Sequence, residues 1–202
     1  MEIFSLFPSV IHRLDPPSDF KYIKDDLINF VYKERKRDPK GRRVSNVGGW
    51  QSEDFRSKGD PITSYIVDNI TPHFTNIMNS WVEVIMLNSW ININNKGNSN
   101  SMHLHMRCDL AGVFYLKVPK NSGRLKFVSP HDYLYYGERE CYKEEFKNSL
   151  SHYSDCSREP TEGEIYIFPS SLYHEVTSSE SRQDRISVGF NIKLGDKRFP
   201  NW

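Results

Sequence analysis

The pattern that most constrains this chain is a pair of histidines, His103 and His105, at the entrance to an apolar run. Side chains two positions apart on a β-strand point to the same face, so both imidazoles can reach one cation. A third histidine, His174, lies in a second apolar run about seventy residues later, and Arg185 follows it by eleven positions. Two ligands on one strand, a third on a distant strand and a basic residue beyond them predict a metal site inside a β-barrel.

The type of metal follows from the positions that such a site leaves open. Three histidines from two strands form a facial set, and open positions opposite such a set suit non-haem Fe(II) that binds a chelating cosubstrate and O2. Arg185 begins an otherwise apolar strand, and a guanidinium inside a barrel needs an anionic partner. The carboxylate of a cosubstrate acid would bind it in bidentate fashion. A salt bridge to an Asp or Glu of the chain is the alternative.

Composition limits the other classes of protein. The chain has 202 residues, which suits one domain, and its 27 basic and 26 acidic residues nearly balance, so no net charge favours nucleic acid. The three cysteines do not form a disulfide framework. No apolar run approaches the length of a membrane span, and no signal peptide is recognised, so a cytoplasmic protein is expected.

Periodicity predicts two helices followed by short strands. The helices are expected over 19–36, with Ser18 as N-cap, and over 62–79, where Pro72 should kink or split the helix. A turn at Asn121–Gly123 predicts a hairpin between the strands on either side of it. The expected strands are one or two over 81–94, then 110–118, 124–128, 163–168, 172–176 and 185–192.

The remaining segments are expected to be arms, loops and an insertion. Residues 2–14 form an arm or strand pair, 38–60 a loop anchored by Trp50, and 92–101 a polar turn. Residues 131–160 form an insertion over the mouth of the fold, partly helical over 137–149. We therefore expect a single domain over 1–202, mainly β with flanking helices, as in a jelly roll. Its parts are an N-terminal arm with supporting helices (1–80) and a jelly-roll core (81–202).

The sequence resembles the Fe(II)/2-oxoglutarate-dependent oxygenases, in particular a group found in marine bacteria and phages. The matching motifs keep their order over most of the chain. They are Leu6-Phe-Pro8, Ser45-Asn-Val-Gly-Gly-Trp-Gln-Ser52, Ser89-Trp-Ile-Asn92, His103-Leu-His105, Leu110-Ala-Gly-Val-Phe-Tyr-Leu116, Ser122-Gly123 with Phe127-x-x-Pro130, Phe168-Pro-Ser-Ser-Leu-Tyr-His174 and Arg185-Ile-Ser-Val-Gly-Phe-Asn191.

The resemblance implies a double-stranded β-helix, the cupin-like jelly roll, that uses Fe(II), 2-oxoglutarate and O2 to oxidise an unidentified substrate. It implies iron ligation by His103, His105 and His174. It also implies that Arg185 binds the distal carboxylate of 2-oxoglutarate. The further cosubstrate-binding residues that it implies are Tyr115 and Asn191.

Several alternatives remain open on the sequence alone. His105 stands where the wider superfamily has a carboxylate, so Asp109 is an alternative third ligand. A cupin that does not use 2-oxoglutarate, a non-catalytic jelly-roll protein and a zinc site that includes Cys108 are the competing functions. The sequence does not specify the substrate, and it leaves a homodimer open.

Overall fold

Two antiparallel sheets form the body of the protein in the computed structural model, which describes residues 8–56, 59–131, 138–149 and 153–199. The larger sheet contains, from edge to edge, β1 (His12–Leu14), β9 (Ile165–Pro169), β6 (Leu110–Lys117), β11 (Arg185–Asp196), β4 (Val82–Asn94) and β3 (Trp50–Gln51). The smaller sheet contains β2 (Asn46–Val47), β5 (Ser99–His103), β10 (His174–Val176), β7 (Leu125–Val128) and β8 (Asp155–Arg158).

The chain passes back and forth between the two sheets, which gives the expected jelly roll. From β4 to β7 each strand lies in the sheet opposite its predecessor, and β9, β10 and β11 alternate in the same way. The predicted hairpin of β6 and β7 is therefore wrong, because β6 pairs with β9 and β11 whereas β7 pairs with β10 and β8. The turn is present, with positive φ at Asn121 (58°) and Gly123 (91°), but it carries the chain from one sheet to the other.

Four helices accompany the sheets in the described residues: α1 (Phe20–Arg37), α2 (Pro61–Ile77), α3 (Glu138–Cys141) and α4 (Glu144–Ser149). The two long helices confirm the predicted ones, but the predicted cap of α1 is wrong. Asp19 rather than Ser18 precedes the helix, and it makes no side-chain cap hydrogen bond. Asp60 caps α2 by accepting hydrogen bonds from the backbone N–H of Ile62 and Thr63. Pro72 lies within α2 without dividing it.

Apolar side chains form two layers on either side of the larger sheet. On the outer side, α1 and α2 pack against the sheet through residues such as Val31, Ile66 and Val188. On the inner side, a smaller cluster fills the space between the sheets, where the rings of Phe127 and Phe168 meet with centroids 5.0 Å apart. Because side chains alternate along a strand, each central strand sends one set of residues to the helices and the other into this interior.

Strand β4 shows how this alternation prepares the site. Ile91 and Ile93 belong to the layer beneath the helices. The intervening positions, Asn92 and Asn94, are buried polar residues and face the space between the sheets. The interior is therefore apolar at one end and polar at the other, and the polar end needs partners for its amides.

Short polar strands are the elements that the sequence pattern missed. β5 begins inside the expected polar turn over 92–101, β2 and β3 lie within the expected loop over 38–60, and β8 lies in the expected insertion. These strands are too short and too polar to show an alternating hydrophobic pattern, and only their hydrogen-bonded pairing with neighbouring strands identifies them. Trp50 does anchor the 38–60 segment, since it is buried and its Nε1–H donates to the carbonyl of Asp38 at 2.8 Å.

Three further sequence expectations concern the insertion, the cysteines and membrane-spanning helices. Helices α3 and α4 fall within the region expected to be partly helical, whereas 132–137 and 150–152 lie outside the described residues. Cys108 and Cys156 are free thiols. None of the helices in the described parts of the chain combines the length and the hydropathy that a membrane crossing requires.

Candidate metal and cosubstrate site

Three histidines converge at one end of the space between the sheets. His103 ends β5, His174 begins β10, and the two residues are direct partners across these antiparallel strands. The prediction that both histidines share one strand is wrong, because β5 ends at His103 and His105 lies in the segment after it. His105 is held there by a hydrogen bond from its backbone N–H to the carbonyl of Ser170. One ring nitrogen from each of the three lies within 4.8 Å of the others. The predicted trio is therefore brought together, in an arrangement that could hold a metal ion.

The outer nitrogen of each ring is already engaged. Nδ1 of His103 lies 2.7 Å from the carbonyl oxygen of Ser101, and Nδ1 of His174 lies 2.9 Å from that of Leu172. A carbonyl oxygen can only accept a hydrogen bond, so these two Nδ1 atoms carry the ring proton, and each Nε2 has a free lone pair. Nδ1 of His105 lies 2.6 Å from Oδ1 of Asn191. With Nδ1 used in this way, Nε2 is the atom that each ring offers to a metal.

Burial keeps the three rings neutral. Desolvation lowers the pKa of His103 and of His105 below the usual value. For His174 it is again the largest cause, and it lowers the pKa to about 3. The neighbouring rings lower it further through mutual repulsion of their charged forms. At neutral pH all three rings are therefore uncharged, which is the form that binds a cation.

A buried arginine without a counter-ion lies at the start of β11. Arg185 is 1% exposed, and no carboxylate among the described residues forms an ion pair with it. One Nη donates to the carbonyl of Ser122 at 3.1 Å, while Nε has no partner. The amide of Asn94 lies 2.9 Å from the other Nη and, in the orientation that satisfies its neighbours, turns its oxygen toward it. A salt bridge within the described chain, which was the alternative role for Arg185, is therefore absent.

Two further unpartnered hydroxyls are buried in the same interior. The Oη of Tyr115 and the Oγ of Ser122 have no hydrogen-bond partner within the described parts of the chain. Burial is the main cause that raises the pKa of Tyr115 well above its usual value, so the phenol remains a proton donor. A buried cation and two buried hydroxyls without partners are costly, and one bound carboxylate would satisfy them together. The donor set fits 2-oxoglutarate, and Ser122 was not identified from the sequence.

The other candidate residues have different partners. The carboxylate of Asp109 accepts from the Nζ of Lys193 at 3.1 Å and from the backbone N–H of Leu194 at 2.7 Å, and it is not a member of the histidine group. Cys108, the extra ligand of the zinc alternative, is also outside that group, and its Sγ lies 3.6 Å from Oδ1 of Asn191. Asn191 itself uses its amide oxygen for His105 and its amide nitrogen for Oδ1 of Asn88 at 2.9 Å.

A cleft of about 200 Å³ opens beside the histidines. His103 and His105 line its inner end, and Trp90 lies against His105 with ring centroids 5.6 Å apart. Residues of the 38–60 segment form the outer wall, among them Arg42 and Gln51. Gln51 is buried, and its amide oxygen has no partner. The cleft therefore joins solvent to the histidine-lined end of the interior along a wall of both polar and apolar side chains.

The fold and this site place the protein among the jelly-roll metalloenzymes. More particularly, the chain belongs to the family described as "Putative 2OG-Fe(II) oxygenase", whose sequence model matches residues 88–191, slightly more than half of the chain. The matched segment contains the three histidines and Arg185. The protein is thus a non-haem Fe(II)/2-oxoglutarate-dependent oxygenase, and the expectations for fold, enzyme class and cofactors are confirmed.

Solved structures with this fold include several oxygenases of low sequence identity. A prolyl-4-hydroxylase from Pseudomonas putida is 15% identical, with a TM-score of 0.61 over 92% of this chain and 93% of that one. A viral collagen prolyl hydroxylase from Paramecium Bursaria Chlorella virus-1 is 14% identical, with a TM-score of 0.59 over 90% and 94% of the two chains. The α-ketoglutarate-dependent carbocyclase SnoK of nogalamycin biosynthesis is 12% identical, with a TM-score of 0.61 over 90% and 78%. No curated protein matches the chain by sequence.

Proposed function

We propose that His103, His105 and His174 hold the Fe(II) of this oxygenase through their Nε2 atoms. The observation that carries the assignment is the convergence of three neutral rings whose Nδ1 atoms are all engaged elsewhere. Protonation of one ring would place a positive charge against the iron, so their lowered pKa values favour ligation. His105 then occupies the position at which the wider superfamily has a carboxylate, and the iron is held by neutral ligands alone.

Arg185 binds the distal carboxylate of 2-oxoglutarate in this proposal. Its guanidinium and the Oη of Tyr115 supply donors from β11 and β6, and Ser122 supplies a hydroxyl from the turn that follows β6. Gly123 is needed beside them, because a Cβ there would lie 3.3 Å from an Nη of Arg185 and 2.4 Å from the carbonyl oxygen of Thr177. The low dielectric of the buried pocket strengthens the ion pair with the bound acid.

The cleft beside Trp90 receives the primary substrate. It reaches His103 and His105 from solvent without passing Arg185 or Tyr115, which do not line it. Bound iron would supply the oxidising chemistry: 2-oxoglutarate would lose CO2 and take up one atom of O2 to become succinate, and the second oxygen atom would oxidise the substrate. The chain supplies a fixed ligand geometry, a dry carboxylate pocket and a polar wall that orients the substrate. The fold neighbours include hydroxylases and a carbocyclase, so fold alone does not choose among these reactions.

Anaerobic reconstitution with Fe(II) tests the ligand set. We expect about one iron per chain in the wild type and 2-oxoglutarate-dependent succinate formation on exposure to O2. His174→Ala should lose both. His73→Ala is the matched control, because His73 lies in α2, contacts His12 and Phe74, and is not a member of the histidine group. Iron binding that survives His174→Ala, or that fails equally in His73→Ala, would contradict the assignment.

The proposal also includes the cellular location and the oligomeric state of the enzyme. The sequence pattern favours a cytoplasmic enzyme of bacterial or phage origin that forms either a monomer or a homodimer. Light scattering on the purified protein measures the mass directly. A stable mass of twice 23.7 kDa would establish the dimer.

A further inference from the structure

One of the three iron ligands differs from the others in how its tautomer is fixed. The Nδ1 atoms of His103 and His174 face backbone carbonyls, which can only accept, so their Nε2 atoms must be lone pairs. Nδ1 of His105 instead faces the side-chain amide of Asn191. An amide offers an oxygen on one side and an NH2 on the other. If it turned the NH2 toward His105, Nδ1 would accept and Nε2 would carry the proton, which would then point at the metal.

The orientation of the Asn191 amide is set by a chain of side chains that leads to the cleft wall. Its Nδ2 donates to Oδ1 of Asn88 at 2.9 Å, which lies directly across the strand pair β4–β11. Nδ2 of Asn88 donates to Oδ2 of Asp54 at 3.1 Å. Oδ1 of Asp54 in turn accepts from an Nη of Arg42 at 2.7 Å. Four hydrogen bonds thus connect an ion pair in the 38–60 segment with a ring of the histidine cluster.

Every bond in this chain runs in one direction because its far end is a carboxylate. An ionised Asp54 only accepts, so Asn88 must present its NH2 to it and its oxygen to Asn191. Asn191 must then present its NH2 to Asn88 and its oxygen to His105. That arrangement leaves the proton on Nδ1 of His105 and the lone pair on Nε2. The Sγ–H of Cys108 also lies near Oδ1 of Asn191, at 3.6 Å, and agrees with this orientation.

We propose that Asp54, acting through Asn88 and Asn191, fixes the tautomer of His105 so that its Nε2 faces the iron site. The three residues are positioning residues, since they act on the cluster through the Nδ1 side of His105. The inference rests on the proposed function only in one respect, namely that Nε2 of His105 is an iron ligand. The hydrogen-bond chain itself is a property of the metal-free protein. It also assigns a purpose to the Arg42–Asp54 ion pair, which holds the Asp54 carboxylate in place at the wall of the cleft.

Asp54→Asn gives a sharp test because it should reverse the chain. Arg42 keeps an oxygen as its acceptor, so the new amide turns its NH2 toward Asn88. The oxygen of Asn88 rotates to accept it, its NH2 turns to Asn191, and the NH2 of Asn191 turns to His105. The reversed chain is as complete as the original one, so the fold has no reason to fail. Asn88→Ala is the second variant, which breaks the chain and should leave a mixture of both tautomers.

The tautomer is measured on metal-free protein at pH 8 by long-range proton–nitrogen correlation on nitrogen-15-labelled histidine. We expect Nδ1–H at His105 in the wild type and Nε2–H in Asp54→Asn. Glu53→Gln is the matched control, because Glu53 lies 3.6 Å from Arg42 but does not contact Asn88, and it should keep Nδ1–H. An Nε2–H ring in the wild type, or an Nδ1–H ring in Asp54→Asn, would overturn the inference.

Fe(II) titration under anaerobic conditions separates this inference from the proposed function. Loss of an outer hydrogen-bonding partner typically lowers metal affinity 10- to 100-fold, and we expect a loss of that size in Asp54→Asn. A reversed tautomer with unchanged iron affinity would support the hydrogen-bond chain and would show that His105 is not a ligand. An Nδ1–H ring that persists together with reduced affinity would overturn the chain while leaving the iron site in place.

Discussion

Replacing Arg185 with Met should have opposite effects on the stability of the free protein and on its affinity for 2-oxoglutarate. The ligand-free protein buries a guanidinium whose pKa is lowered by desolvation and which has no described counter-ion. Replacing buried ionic groups by apolar residues of similar volume is neutral or stabilising by about 1–4 kcal/mol. The lost hydrogen bonds to the carbonyl of Ser122 and to the amide oxygen of Asn94 together offset about 2 kcal/mol of this. The free energy of unfolding should therefore lie between about 1 kcal/mol below and about 2 kcal/mol above the wild-type value.

The cosubstrate should respond in the other direction. Removing one partner of a buried ion pair costs about 3–5 kcal/mol, which corresponds to a loss of roughly 200- to 4,000-fold in affinity. Iron binding should be retained, because Arg185 is not one of the three histidine ligands. A charge that destabilises the free protein and stabilises the complex is one that the fold keeps for its ligand.

Chemical denaturation of metal-free protein and anaerobic calorimetry with Fe(II) and 2-oxoglutarate measure the two quantities. Arg182→Met is the matched control, since Arg182 lies on the exposed turn before β11, and it should change neither. A destabilisation of several kcal/mol in Arg185→Met would show that the charge is paired in the folded protein. Wild-type affinity for 2-oxoglutarate, or an equal loss of iron, would refute the assignment of the carboxylate pocket.

Three further predictions concern the histidine cluster and its surroundings. His105→Asp, which restores the carboxylate of the wider superfamily, should retain iron and 2-oxoglutarate turnover; an intact iron site in a crystal structure with the new carboxylate turned away would refute His105 as a ligand. The pKa of His174 is lowered to about 3 in the folded protein, so below about pH 6.5 the unfolded chain binds more protons at this residue than the folded protein does. Through this residue the stability of metal-free protein should therefore fall by up to about 1.4 kcal/mol per pH unit on acidification. His174→Gln should flatten that slope in urea titrations between pH 4 and 6. Gly189→Ala would place a Cβ 2.6 Å from the indole of Trp90. We therefore expect the free energy of unfolding to fall by about 1–3 kcal/mol and the tryptophan fluorescence to change. Wild-type stability and an unchanged spectrum would contradict the position of Trp90 between Gly189 and His105.

The long amphipathic helices and the apolar strands were predictable because their local patterns are strong. Each of the two predicted helices matches α1 or α2 to within two residues at either end. The β6–β7 hairpin was wrong because a turn signal reports that the chain changes direction but does not report which sheet it enters. Short strands such as β5 were missed because their residues are polar and their pairing partners are distant in the sequence.

The histidines and Arg185 could be found from the sequence because a close histidine pair, a third histidine in a later apolar run and an isolated charge in an apolar strand are visible in one dimension. Asp54 and Asn88 could not be found in this way. Both are ordinary polar residues in their local context, and they gain a role only because β4 and β11 pair in one register and the 38–60 segment folds back over them.

The sequence by itself therefore indicated which side chains are candidates to bind iron and 2-oxoglutarate, since residue type, spacing and the order of motifs can be read along the chain. Only the tertiary structure decided how those side chains are held. The direction of each hydrogen bond depends on neighbours far apart in the chain, and the absence of any described counter-ion near Arg185 depends on every segment that could have supplied one. A ligand set is a property of residue type and spacing, whereas its protonation and orientation are properties of the packed interior.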